Sequence, residues 1–233
     1  MTKEKKHTWP GVSIILCVHN EEAHLHTYLQ ALLTQDYPEY EVILVNNCSQ
    51  DHSREEIESY MLRDPRVRLT QIPEHAFITD MRRMAMTLGA KAAKYDKLVF
   101  IHPDCRPATS QWLRRMMTPF TEDSRVEAVL GRSGYYRDQT ALNRWCRMSL
   151  GADEGKMRWA LRLHRPNWKV CRNLAVGKAL YFRSLSDRYV LWHWNTRMME
   201  ERDAWMWSDA PASLKQWYKH KYCYKDGRRK IGY

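Results

Sequence analysis

Three short apolar runs, each breaking off into a polar turn, constrain this chain more than any other feature. They are Val12 to Val18, Glu41 to Val45 and Lys97 to Ile101. Runs this short and this continuously apolar are what strands need when both faces are covered, as in a parallel sheet. Amphipathic helical patterns separate them. Leu25, Tyr28, Leu29, Leu32 and Leu33 repeat at the helical period after Asn20-Glu21-Glu22, where an N-cap type residue precedes acids. Asp51 is placed to cap a helix over His52–Arg63, Val67–Ile72 reads as a third strand, and Thr79-Asp80 opens a helix to Lys94. A further helix is expected near Ser110–Phe120.

This succession predicts an α/β fold: a Rossmann-like, mostly parallel central sheet with helices on both faces, joined by right-handed crossovers. Ligands of such sheets sit beyond the carboxyl ends of the strands. Three loops meet that condition: Cys17–Asn20, Asn46–Asp51 and His102–Arg106. They are rich in Asn, Asp, His and Cys, whereas the strands before them are apolar. Asp104 is the lone acid of its turn. A carboxylate at a strand exit is placed to hold a divalent cation, and a cation holds a diphosphate; Asp104 is equally suited to starting a turn before Pro107. Arg82 and Arg83 open the helix before the fourth strand, as phosphate clamps or as a solvent-facing pair.

The second half is less regular. Val126–Gly134 reads as a strand, Gln139 to about Leu163 as a helix, and Val170–Phe182 as strand and turn. Beyond Ser184, Trp, Met and charge are mixed without a clear period. Trp205-Met206-Trp207 and Trp192-His193-Trp194 suit a core, a lipid surface or sugar stacking.

With 233 residues, 44% of them hydrophobic, the chain is long enough for one domain of ordinary size with a substantial core. Its net charge of +11 favours nucleic acid, anionic lipid or phosphorylated substrates. No nucleic-acid reader motif appears, so nucleic acid is not expected as a partner. The basic end, from Lys219 to Tyr233, is a candidate for peripheral contact with an anionic membrane. No signal-peptide pattern or long apolar run is visible, and the six cysteines show no zinc-like spacing. A cytoplasmic location is expected, extending to the cytoplasmic face of the membrane.

Five segments in order resemble the family 2 inverting glycosyltransferases of the GT-A fold. They are Val12–Glu22, Leu32–Pro38, Val45–Asp51, Ile101–Pro107 and Arg172–Ala175 with Lys178. The resemblance implies one GT-A domain over 1–233, with a nucleotide-sugar-binding half at 1–125 and an acceptor-binding half at 126–233. It implies a nucleotide-diphosphate sugar, of the UDP class, as donor and a glycan or lipid-linked molecule as acceptor. It places Cys17, Asn20, Glu21, Asn47 and Pro103 with Arg82 and Arg83 around the donor, Asn47 on a pyrimidine ring. It assigns Asp104, with His102, to Mn²⁺ or Mg²⁺. Arg172, Asn173, Trp217, His220 and Lys221 fall on the acceptor side, the last three in a basic segment like the family's C-terminal Gln-x-x-Arg-Trp region.

Inversion also needs a base for the acceptor hydroxyl. Asp187 fits when counted back from that basic segment. Glu201, or Glu200, fits when counted forward from Asn173, and Asp203 is the remaining acid. Three positions depart from the family pattern: Asn46 and Asn47 stand for two acids, and His102 for the first acid of the metal turn. The chain is therefore expected to be either an enzyme with weakened metal affinity or an impaired relative that binds a nucleotide sugar or a partner without turnover.

Overall fold

The computed structural model describes residues 9–72, 81–102, 104–148, 173–186, 197–211 and 213–215. All three apolar runs are strands: β1 (Val12–Val18), β2 (Tyr40–Asn46) and β4 (Lys97–Ile101). The helices between them are α1 (Glu22–Leu33), α2 (Ser53–Arg63) and α3 (Met81–Ala92), with β3 (Val67–Gln71) between α2 and α3. A three-residue strand, β5 (Cys105–Pro107), follows β4, and then α4 (Trp112–Glu122) and β6 (Val126–Tyr135). Residues 141–148 are helical (α5). The second half adds β7 (Asn173–Gly177), α6 (Lys178–Ser186) and β8 (Arg197–Ser208).

Among the described residues eight strands form one sheet in the order β3-β2-β1-β4-β7-β6-β8-β5. β1 pairs in parallel with both β2 and β4, and β2 with β3, so the carboxyl ends of these four strands share one edge. β7 then enters antiparallel to β4, with Asn173 opposite Ile101, and β5 closes the far edge antiparallel to β8.

Alternation along β1 sorts the side chains into two layers. Val12, Ile14, Leu16 and Val18 face α1, α2 and α4, packing with Leu25, Leu29, Leu32, Ile57, Trp112 and Met116. Ile15 and Cys17 face α3 and α6, with Ala85, Ala90, Leu180 and Tyr181. Helices therefore cover both faces, as the apolar runs require.

Three local readings change. α1 starts at Glu22 rather than with an Asn20 cap; Asn20 instead takes the left-handed conformation at φ 54°. Asp51 does bind the first turn of α2, but it also reaches α1 (below). The segment expected as strand and turn over 170–182 is β7 running directly into α6. There the Lys178 amide donates to Asp96 O at 2.7 Å and its ammonium to Ala93 O at 2.7 Å, so the chain turns into a helix against the α3–β4 loop. Residues 170–172 and 149–163 lie outside the described residues. β8 escaped notice because only its last part alternates cleanly, with Ala204, Met206 and Ser208 buried. Its first part is interrupted: Leu130 pairs with Glu200, yet Arg132 pairs with Trp205.

One buried acid ties the start of the sheet together. Glu41 Oε1 accepts from Ser13 Oγ and from the Lys94 amide, each at 2.6 Å, and Oε2 accepts from Arg68 at 2.9 Å. Burial pushes the Glu41 carboxyl up, but these hydrogen bonds outweigh it and the net shift is downward from 4.5. A depressed carboxyl stabilises the fold above its unfolded value, and that stability is lost as pH falls through the folded value. Glu41→Gln should lower stability by about 1–3 kcal/mol at pH 7 in urea unfolding, and the gap from wild type should shrink below pH 4.5. A gap that stays constant into acid would contradict this.

Gly89 marks the closest approach of α3 to the sheet. A Cβ there would lie 2.4 Å from Ile15 Cγ2 and 3.2 Å from Val45 Cγ2. Both methyls sit on stiff β-branched side chains. Gly89→Ala should therefore destabilise by about 1–3 kcal/mol through overpacking, instead of gaining the roughly 1 kcal/mol usual for Gly→Ala in a helix. The denaturation midpoint reads the sign directly.

Candidate active site

The loops after β1 and β2 are sewn to each other. The Asn47 amide donates to Val18 O at 2.8 Å, and His19 Nδ1 donates to Asn47 O at 2.6 Å. Asn20 Nδ2 meets His19 Nε2 at 3.3 Å, while Asn20 Oδ1 accepts the Gln50 amide at 2.7 Å. Asn20 and Cys48 both have positive φ, 54° and 50°, where each chain turns away from its strand. Asp51 bridges the two helix starts, accepting the Glu22 amide through Oδ2 and the Ser53 amide through Oδ1, both at 3.1 Å. Burial pushes the Asp51 carboxyl up, but its bonds from Ser53 and the Glu22 amide prevail and the net shift is downward. Ser53 Oγ in turn accepts the Glu21 amide at 3.0 Å. The backbone around Glu21 is thus fixed from the second loop.

Asn46 and Asn47 have different fates. Asn46 is buried, and its Oδ1 accepts the Ser49 amide at 3.1 Å, closing the turn. An amide oxygen serves that purpose as well as a carboxylate, so the missing acid there is absorbed by loop structure. Asn47 is half-buried at the loop mouth. Cys17 is buried at the end of β1, facing the α3 layer.

The third loop brings His102 and Asp104 together. Both are buried, 5% and 8% exposed, and His102 Nδ1 bonds to Asp104 Oδ1. Cys105 Sγ donates to the same oxygen at 3.1 Å. Tyr28 lies beneath the turn from α1. Burial pushes its phenol up, and the charges of Asp104, Asp209 and Glu21 add to the shift. Asp209 is a site residue the sequence reading passed over. It follows β8 by one position and pairs with Arg106 at 3.4 Å. Its signal, an acid just past a strand, is akin to the one that singled out Asp104, but it follows an alternating run instead of a continuous apolar one.

Beside this turn, side chains stack along the face of β8 opposite α4. Arg132 lies over Trp205 at 5.5 Å, Trp205 stacks on Trp207 at 5.1 Å, Trp207 meets Tyr136 at 5.7 Å, and Arg106 covers Tyr136 at 4.6 Å. Met206, between the two Trp residues, points into the core. The ring faces of Trp205 and Trp207 are largely taken by one another and by their neighbours. Trp192–Trp194 lie outside the described residues.

The remaining candidates spread apart. Asn173 is 1% exposed. Its Nδ2 donates to Ala204 O at 2.9 Å and Arg132 O at 3.2 Å, stitching the irregular β6–β8 pairing. A Cβ on Gly131 would stand 2.2 Å from that nitrogen, so Gly131 makes room for it. Glu200 pairs with Arg132 at 3.3 Å, and Glu201 Oε1 accepts the Asp203 amide at 3.0 Å. Glu200 stands opposite Leu130 and Ser208 opposite Tyr135, five positions along β6, so these acids lie roughly 15–20 Å from the Ser208–Cys105 pairing at the usual strand rise. Glu201 is therefore not brought to the Asp104 turn. Arg83 is exposed on α3. Pro103, Arg172, Asp187, Trp217, His220 and Lys221 lie outside the described residues, as does the side chain of Arg82.

Among the described residues no group of three or more His, Cys, Asp or Glu is arranged to hold a metal, and no helix is long and apolar enough to cross a membrane. The donor set at the turn is one carboxylate with an imidazole already bonded to it. That does not fit a caged resident metal. It does fit a cation that arrives with phosphate oxygens and needs only one or two protein carboxylates.

Comparison with known proteins agrees with this layout. The model of glycosyl transferase family 2 matches residues 13–190. An uncharacterised glycosyltransferase, EpsJ of Bacillus subtilis (strain 168), is 28% identical over 131 residues, 56% of this chain and 36% of EpsJ. The chain thus spans about a third of that relative's length. The mannosyltransferase PcManGT of Pyrobaculum calidifontis, solved with GDP-Man and Mn²⁺, superposes with a TM-score of 0.61 at 14% identity, over 92% of this chain and 61% of that one. Glucosyl-3-phosphoglycerate synthase of Mycobacterium tuberculosis, solved with Mn²⁺, UDP and phosphoglyceric acid, gives 0.58 at 14% over 89% and 73%. These likenesses establish a single-domain GT-A fold, and the chain belongs to glycosyl transferase family 2.

Proposed function

We propose that this transferase moves a sugar from a nucleotide-diphosphate sugar, of the UDP class, to a glycan or lipid-linked acceptor with inversion. The observation that carries the reading is the convergence of three polar loops at the carboxyl ends of β1, β2 and β4, with Asp104 buried at the third. Nucleotide sugars or nucleotides bound to proteins of this fold, GDP-Man in PcManGT and UDP in the mycobacterial synthase, support it.

In this reading the donor half is 1–125 and the acceptor half 126–233. The nucleobase enters between the first two loops, with Asn47 offering amide groups to a pyrimidine edge and Cys17, Asn20 and Glu21 lining the slot. Arg82, Arg83 and Pro103 flank the diphosphate. Asp104 would hold Mn²⁺ or Mg²⁺, which when bound neutralises charge developing on the leaving diphosphate. Asp187 takes the proton from the attacking hydroxyl; the distance of Glu201 from the turn favours Asp187 of the two. Arg172, Trp217, His220 and Lys221 face the acceptor. Asn173 serves that side indirectly, by holding β6 to β8. The basic C-terminal segment rests against an anionic membrane that presents a lipid-linked acceptor, and the chain works at its cytoplasmic face. A relative named for teichuronic acid biosynthesis fits a role in the cell envelope.

A binding-only protein is the second reading, and His102 in place of an acid is what favours it. Calorimetry separates the cases. UDP, GDP and CDP should be titrated into wild type and Asp104→Ala, with and without Mn²⁺. The expected result is Mn²⁺-dependent binding of UDP, weakened at least tenfold in the variant, followed by slow hydrolysis or transfer with a UDP-sugar. Binding without any turnover would favour the second reading. No binding of any diphosphate would sink the donor-site reading and leave an impaired relative that binds a partner instead.

A further inference from the structure

His102 stands where a metal ligand is expected, yet its contacts give it another task. We infer that His102 is a positioning residue: its Nδ1–H holds Asp104 in the orientation that receives the cation, and the imidazole itself stays outside the coordination sphere. The inference rests on the donor-site reading above and adds a residue role to it.

An ionised carboxylate only accepts, so the proton of the His102–Asp104 hydrogen bond sits on Nδ1. That leaves Nε2 as the imidazole's donor atom for a metal. Nε2 lies across the ring from Asp104 Oδ1, roughly 4.5–5 Å away once a hydrogen bond and the ring width are added. A cation with ligand bonds of about 2.0–2.2 Å spans donors no more than about 4.4 Å apart. One ion therefore does not take both Oδ1 and Nε2 while this hydrogen bond persists.

Both residues are buried, which resists swinging the ring out. Cys105 Sγ adds a second donor to the same Oδ1 at 3.1 Å. Oδ1 is thus the oxygen that both donors hold. Hydrogen-bonded partners that orient a metal-binding carboxylate typically change affinity 10–100-fold when lost.

Side-chain shape supplies the test. Asn carries an N–H donor where His carries Nδ1; Gln carries it where His carries Nε2. Mn²⁺ binding in the presence of UDP, or of GDP or CDP if that is the base accepted, should be measured for wild type, His102→Asn, His102→Gln and His102→Ala. Thermal unfolding checks that each variant is folded. His102→Asn should bind Mn²⁺ within about threefold of wild type, and His102→Gln and His102→Ala should lose about 10–100-fold. Pulsed EPR of the Mn²⁺–nucleotide complex, with protein labelled at histidine by ¹⁵N, should show no directly bound nitrogen that is lost in His102→Asn. A directly coordinated ¹⁵N present in wild type and absent from His102→Asn would overturn the inference while leaving the donor site standing. Wild-type affinity in His102→Ala, or equal losses in the Asn and Gln variants, would overturn it too. Failure of wild type to bind Mn²⁺ with any of the three diphosphates would remove the donor-site reading itself, and this inference with it.

Discussion

The parallel pairing of β1 with β2 on one side and β4 on the other is the constraint on which everything else hangs. Parallel strands in register finish together, so their following loops must emerge on the same edge. The strands can lie side by side only because their side chains are apolar on both faces and helices arrive to cover them. Where the apolar sequence stops, at Val18, Asn46 and Ile101, the chain leaves the sheet and polar groups become affordable. The candidate site is the place where three such exits coincide.

Polarity at these exits is organised chiefly by backbone groups. The β1 and β2 loops exchange bonds through His19, Asn20, Asn47, Asp51 and Ser53, nearly all with one main-chain partner. The side chains named by family resemblance divide accordingly. Asn46 and Asn173 are consumed by the fold, whereas Asn47 remains at a loop mouth. An amide in place of an acid thus means different things at neighbouring positions. Only the hydrogen-bond partners distinguish them.

The first half was legible because its signals are local. Continuous apolar runs, a helical period and turn residues each act within about ten neighbouring positions. Asp104 was found by the same logic, as an acid at the end of such a run. The second half was harder because its order is set across the sheet. β8 is half polar and breaks register beside Leu130, an irregularity accommodated by Asn173 from β7. No window of sequence contains that partnership. Asp209 was missed because β8 was missed, and the bond from His102 to Asp104 because residue type alone favours a ligand over an orienting group.

β5 has a consequence for how this chain can change. Its three residues follow directly on the Asp104 turn, yet among the described residues their strand partner is β8, about a hundred positions later. By order along the chain β5 belongs to the first half; by hydrogen bonding it belongs to the second. The two halves are therefore not interchangeable modules. A chimera that exchanged everything after position 125 for a relative's counterpart would import a different partner for the strand anchoring Asp104. Changes to the second half would have to leave Met206, Trp207 and Ser208 in place, or revise both strands together.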